Sequence, residues 1–298
     1  MKSRLVLSLA FTFAVLTLAR ADEVFVRGKD KAIIGTIKTE DAKGVVINTA
    51  GPDKKKVDEF IPASDVLDTN YTDIKPVKLV LSDGAYKLAR NAEKDALESP
   101  DPAKRKSSLG LAISRYTEAT AGVQGPIYAK RIMEYKIATL MLRQAQTEQQ
   151  PIDKAIARLH AFKTAYPNSW QVVHVMPLLA QTQLDVKDYK GAAATFEEMA
   201  GMDALPAETR LGAELEVVRV LVKADELDKA QKKLDQMASR AATNPAMGAR
   251  VKMAKAELLM GQKKTDEALP ILVQVVKDTN DKNVKAVAHN TIGECYYR

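Results

Sequence analysis

Four alanines set the architecture of this chain. Ala155, Ala192, Ala230 and Ala268 follow one another at intervals of 37, 38 and 38 residues. Each is followed four residues later by a large apolar side chain, Leu159, Phe196, Leu234 or Leu272, and seven residues later by Phe162, Met199, Met237 or Val275. Positions i, i+4 and i+7 lie on one face of an α-helix, and a small residue at the first lets a neighbouring helix approach closely. A helix of this kind therefore recurs along the chain and buries the same face each time.

The segments before these helices supply a second recurring element: Leu179-Ala180 with Gln183, Val217-Val218 with Leu221, Lys255-Ala256 with Leu259, and Ile292-Gly293 with Tyr296. Two helices per period make a hairpin that cannot bury its apolar face alone, so its neighbours must stack on it. Asp101-Pro102, Gln150-Pro151, Leu205-Pro206 and Asn244-Pro245 place proline where helices can begin, and Ser169, Asp188, Asp225 and Thr265 suit helix N-caps.

Residues 22–81 read differently. Val24-Phe25-Val26, residues 32–38, 44–49 and 57–61 are short β-branched or alternating runs separated by turn residues such as Gly28-Lys29-Asp30 and Ala50-Gly51-Pro52-Asp53. Lys54-Lys55-Lys56 reads as a solvated hairpin tip whose charges discourage edge pairing.

The alanine-phased hairpins resemble the tetratricopeptide repeat (TPR), with a period somewhat longer than is usual in that family. The clearest units start at Val173, Leu211 and Ala249, with a less regular unit from Tyr128, another from Tyr86, and an incomplete one from Ala286. The order Ile34-Gly35-Thr36-Ile37, Gly44-Val45-Val46-Ile47 and Phe60-Ile61-Pro62-Ala63-Ser64-Asp65-Val66 resembles the small Sm-like β-barrels at the head of bacterial envelope proteins. Gly35 would permit a strand bend and residues 62–66 a helical turn before a last strand. The stretch from Phe162 through Tyr166-Pro167-Asn168-Ser169 is similar to an inter-repeat junction of bacterial envelope proteins. The expected fold is a mainly α, TPR-like solenoid over residues 86–298, preceded by a small β-barrel over residues 22–81.

The N-terminus, from Met1 to Ala21, reads as a cleavable secretory signal: Lys2 and Arg4, an apolar stretch over residues 5–18, then Ala19-Arg20-Ala21, leaving Asp22 as the new N-terminus. The expected location is periplasmic or extracellular, and without a cysteine after Ala21 no lipoprotein anchor is expected; membrane contact is expected only through the uncleaved signal. The formal charge of +7 falls by the three basic residues of the signal. Residues 22–80 hold 10 basic and 11 acidic side chains, so no stretch carries the positive field that nucleic acid demands. The single cysteine, Cys295, excludes an internal disulfide and reads as a small buried hydrophobe.

No nucleophile elbow, phosphate-binding glycine loop, H-E-x-x-H or paired-cysteine pattern occurs, and His160, His174 and His289 stand far apart. Neither cofactor nor metal nor enzymatic activity is expected. The TPR resemblance implies a partner groove lined by the first helix of each hairpin, and carries over to His174, Gln181, Asp185, Arg219, Lys223, Arg250, Glu257, Asn290 and Glu294. Arg219, Lys223 and Arg250 would grip an acidic segment of a protein or peptide. The incomplete last repeat offers an edge for self-association, and a barrel that binds cell-wall glycan while the helices act as spacer is the alternative function.

Overall fold

The computed structural model describes residues 21–50, 56–71, 80–123, 128–241 and 245–297. The expected signal thus lies outside the described residues apart from Ala21, as do Lys54 and Lys55.

Five strands open the chain: β1 (Asp22–Val26), β2 (Ile33–Asp41), β3 (Gly44–Ala50), β4 (Lys56–Pro62) and β5 (Val66–Asn70). They form one antiparallel sheet in the order β4-β3-β2-β1-β5. The turn after Pro62 falls where the sequence placed it, and carries the chain from one sheet edge to the other. There Phe25 faces Asp68 across the β1–β5 pair. The expected barrel is corrected to an open sheet, because β4 and β5 remain opposite edges and helices cover the apolar face that closure would have covered. A close approach makes Gly35 necessary: a Cβ there would stand 2.3 Å from the Asn48 carbonyl oxygen on β3.

Eleven helices follow among the described residues: α1 (Val80–Glu98), α2 (Pro102–Ala121), α3 (Tyr128–Glu148), α4 (Asp153–Ala165), α5 (Val172–Asp185), α6 (Tyr189–Ala200), α7 (Ala207–Lys223), α8 (Leu227–Ala241), α9 (Pro245–Gly261), α10 (Thr265–Asp278) and α11 (Lys282–Tyr297). Successive helices pack as antiparallel hairpins, and α7, α9 and α11 also pack side by side. The architecture is a TPR-like α-solenoid. Ala155, Ala192, Ala230 and Ala268 fall on α4, α6, α8 and α10, all at 0–2% exposure, with their i+4 and i+7 companions buried beside them.

The backbone repeats more strictly than the alanines. Gln149, Lys187, Asp225 and Lys263 recur at one constant interval and adopt φ between 52° and 63° in the turn inside each hairpin. In each turn the next N–H reaches back five residues: Gln150 to Ala145, Asp188 to Gln183, Glu226 to Leu221, and Lys264 to Leu259, at 2.8–3.1 Å. This closes a helix C-terminus through a left-handed residue, a place usually given to glycine. Asp225 is therefore a turn residue and not an N-cap, and Thr265 and Ser169 likewise do not cap, because Lys264 and Gln171 hold those positions. Asp101 and Asp188 do cap, accepting from the Ala103 and Gly191 N–H groups at 2.9 Å.

The sheet, the first three hairpins and one face of α7 share one core, from Val24 to Val220. Two smaller cores follow, one around Leu234 and Met237 and one around Leu272 and Val275.

Candidate functional site: the first-helix face

The first helices of the hairpins, α1, α3, α5, α7, α9 and α11, share an equivalent face, and it is used in two ways. Over the first three hairpins the chain's own sheet lies on it. Over the last three it is open.

The covered part is held by carboxylates of the sheet and cations of the helices. Asp68 on β5 accepts from Arg90 on α1 at 2.6 Å and pairs with Lys136 on α3 at 3.0 Å. Burial alone would raise the Asp68 pKa, and the two cations more than offset it, so the carboxyl sits below its usual range. Lys136 also donates to Glu93 at 2.7 Å, and Glu93 accepts from the Tyr116 hydroxyl at 2.5 Å. Glu40 on β2 pairs with Arg131 on α3. His174 on α5 donates from Nε2 to the Ala63 carbonyl oxygen at 3.0 Å and meets the Trp170 ring edge-on. Burial, with Arg27 nearby, lowers its pKa against the pull of that carbonyl. His174 thus faces the sheet in this structure and not an open groove.

The open part is a channel between α7, α9 and α11. Two adjoining cavities of about 200 and 590 Å³ share Arg219 and Val287. Leu215, Met253, Val284 and Met260 make an apolar floor, all of them buried. Glu216 and Asn283 line one cavity; Lys223, Asn290 and Glu294 line the other. Six of the nine expected residues are brought together here: Arg219, Lys223, Arg250, Glu257, Asn290 and Glu294. Gln181 and Asp185 stand outside it on α5, exposed and hydrogen-bonded to each other at 2.9 Å.

The expected basic cluster is electrically divided. Arg219 donates from Nε to Glu257 Oε2 at 2.7 Å and from Nη1 to Glu216 Oε1 at 2.5 Å. Burial opposes its charge, but the two carboxylates outweigh it and hold the guanidinium protonated. Arg250 pairs with Glu208 at 2.5 Å and lies 3.9 Å from Asp281. Among the described residues Lys223 has no ion pair, so it is the cation with unspent capacity.

Sequence reasoning missed Glu216, Leu215 and Met253 in the channel, and Glu40, Asp68, Arg90, Arg131 and Lys136 under the sheet. A signal for part of this existed. Lys136, His174, Gly212 and Arg250 each precede one of the four left-handed turn residues by the same number of positions, so they share one repeat position. Its first two occupants hold the sheet and its last two line the channel.

Among the described residues no cluster of histidine, cysteine and carboxylates could hold a metal ion, and no helix is long and apolar enough to cross a membrane. Cys295 is buried, its Sγ 3.6 Å from Met260 Sδ.

No family model matches the chain, and no curated protein does. Among solved structures it is similar to a Podosopora anserina putative kinesin light chain with nearly identical TPR-like repeats, at 16% identity and a TM-score of 0.43 over 65% of this chain and 94% of that one. A singly substituted form of the same repeats aligns at 15% identity and a TM-score of 0.44, over 70% of this chain and 98% of that one.

Proposed function

We propose that this chain is an exported, non-enzymatic scaffold that holds a segment of another protein in the channel between α7, α9 and α11. The carrying observation is the channel itself: an apolar floor over two adjoining cavities, spanned by Arg219 and ending at Lys223, Asn290 and Glu294. Such a surface supplies buried apolar contact with polar groups that fix the register of an extended or helical segment. Because Arg219 and Arg250 already have carboxylate partners, the fitting segment carries apolar side chains and a single acid for Lys223, in preference to a run of acids.

Export to a bacterial envelope compartment is supported by the signal-like N-terminus and by the junction that ends at Ser169. The test of the binding site is the affinity of a purified partner for the full chain and for Arg219→Ala with Lys223→Ala. The reading expects a loss of at least roughly tenfold, and an unchanged affinity would sink it.

Self-association through α11 is a second reading, favoured by Tyr296 and Tyr297 at 74% and 94% exposure. A light-scattering mass that stays monomeric at high concentration would count against it.

A further inference from the structure

The contact between sheet and helices contains a buried acid that the scaffold reading leaves without a role. Glu40 sits on β2 opposite Val45, its side chain fully buried. One carboxyl oxygen faces Arg131, whose side chain is 13% exposed, and the other has no partner. Nor does Arg131 Nε find a hydrogen-bond partner. A fully buried carboxyl with one oxygen unpaired, facing a guanidinium whose Nε is also unpaired, is a costly arrangement for a permanent contact.

Each element packed around Glu40 presents a definite group. Asp22 on β1 adds a like charge, Arg131 on α3 an opposite one, and the nearby Trp170 indole N–H favours the ionised carboxyl. His174 on α5 stacks on Trp170. Desolvation is the largest influence, and Arg131 does not offset it, so the Glu40 pKa rises from 4.5 to about 7.

We propose that Glu40 is a proton-operated latch at the contact of β2 with α3 and α5: with its proton this contact stays closed, and on losing it the contact opens locally around Trp170 while the shared apolar core keeps the sheet in place. The sign follows from linkage. A carboxyl that holds its proton more tightly when closed favours the closed state at acidic pH, and that advantage is lost as pH rises from 4.5 through about 7. The closed-to-open ratio of this contact changes by roughly a hundredfold across this window. His174 works in the opposite sense, because its pKa is lowered when closed, so the two groups must be separated by substitution. The latch does not depend on what the channel binds.

Trp170 is the single tryptophan of the chain and is fully buried at the latch. Acrylamide quenching of its fluorescence in the full chain, at about pH 5.5 and about pH 8.5, therefore reads the opening directly. The wild type should become several-fold more accessible at the higher pH. Glu40→Gln should stay closed at both, His174→Gln should keep the wild-type response, and Arg131→Gln should move the midpoint upward. Equal accessibility at both pH values in the wild type would overturn the latch. So would an undiminished response in Glu40→Gln, or a response that disappears in His174→Gln instead.

Discussion

Arg219 on α7 donates from Nε to Glu257 on α9 at 2.7 Å, and the two residues stand 38 positions apart, one repeat. The same place in successive hairpins thus carries opposite charges that join across the channel. The pair holds adjacent first helices in register and takes up the charge of the one cation among the described residues that lines both cavities.

Removing either partner should loosen the α7–α9 contact. Both side chains are partly exposed, Arg219 about a third, so screening limits the effect: Arg219→Ala and Glu257→Gln should each cost ~1 kcal/mol, with a coupling of ~0.5–1 kcal/mol in the double-mutant cycle. Urea unfolding of the four proteins measures it, and additive losses would mean that the pair is not coupled.

The hairpin turns lead to a gain-of-stability prediction. Lys187 and Lys263 adopt φ of 61° and 63°, a conformation that costs an L-residue ~1–2 kcal/mol and glycine far less. Allowing for glycine's greater freedom when unfolded, Lys187→Gly and Lys263→Gly should each stabilise by ~0.5–1 kcal/mol. Lys187→Val should destabilise instead, and a higher urea midpoint for valine than for glycine would contradict the turn geometry.

The separate cores predict separate unfolding. Leu234 is 2% exposed in the core of the fourth and fifth hairpins, while Leu159 is fully buried in the core shared with the sheet. Each change to alanine should cost ~2–5 kcal/mol. Leu234→Ala should lower the midpoint seen by circular dichroism while Trp170 fluorescence stays near its wild-type transition, whereas Leu159→Ala should shift both. Coincident shifts in Leu234→Ala would show one cooperative unit.

Asp68 should govern acid sensitivity under the sheet. Its carboxyl is buried between Arg90 and Lys136 and its pKa is depressed, so its contribution is present above its ordinary value of 3.8 and is lost as pH falls through the lower folded value. Asp68→Asn leaves two cations facing no charge on the sheet and should cost ~3 kcal/mol at neutral pH. The difference from wild type should shrink at the acid end of a pH series of thermal melts, and a constant difference would deny the linkage.

How far the sequence could be read depends on the range of each interaction. The alanine phase lies within single helices, and all twelve residues it picks out are buried on α4, α6, α8 and α10. The left-handed turns were invisible because Gln149, Lys187, Asp225 and Lys263 share a backbone conformation, and none of them is the glycine that would signal it. Sheet closure was misread because β4 and β5 are kept apart by the helices, whose docking residues lie far off in sequence: Glu40 and Arg131 are 91 residues apart. In the sequence Glu40 passes for part of a polar turn. The channel was legible for six residues, since the groove positions implied by the TPR resemblance carry over in repeat register, but the internal pairing of Arg219 and Arg250 was not. That pairing moves the expected partner away from a strongly acidic segment.

The most direct test begins by placing a photo-crosslinking residue at Val287 in the channel, and for comparison at exposed Lys232 on α8, in the cells that make the protein. The protein captured from Val287 is then purified and titrated calorimetrically into wild type and into the Arg219→Ala, Lys223→Ala double variant. A partner captured at Val287 but not at Lys232, and bound at least roughly tenfold more weakly by the double variant, is the predicted result. Capture at Lys232 alone, or equal affinity for both proteins, would contradict a binding channel between α7, α9 and α11.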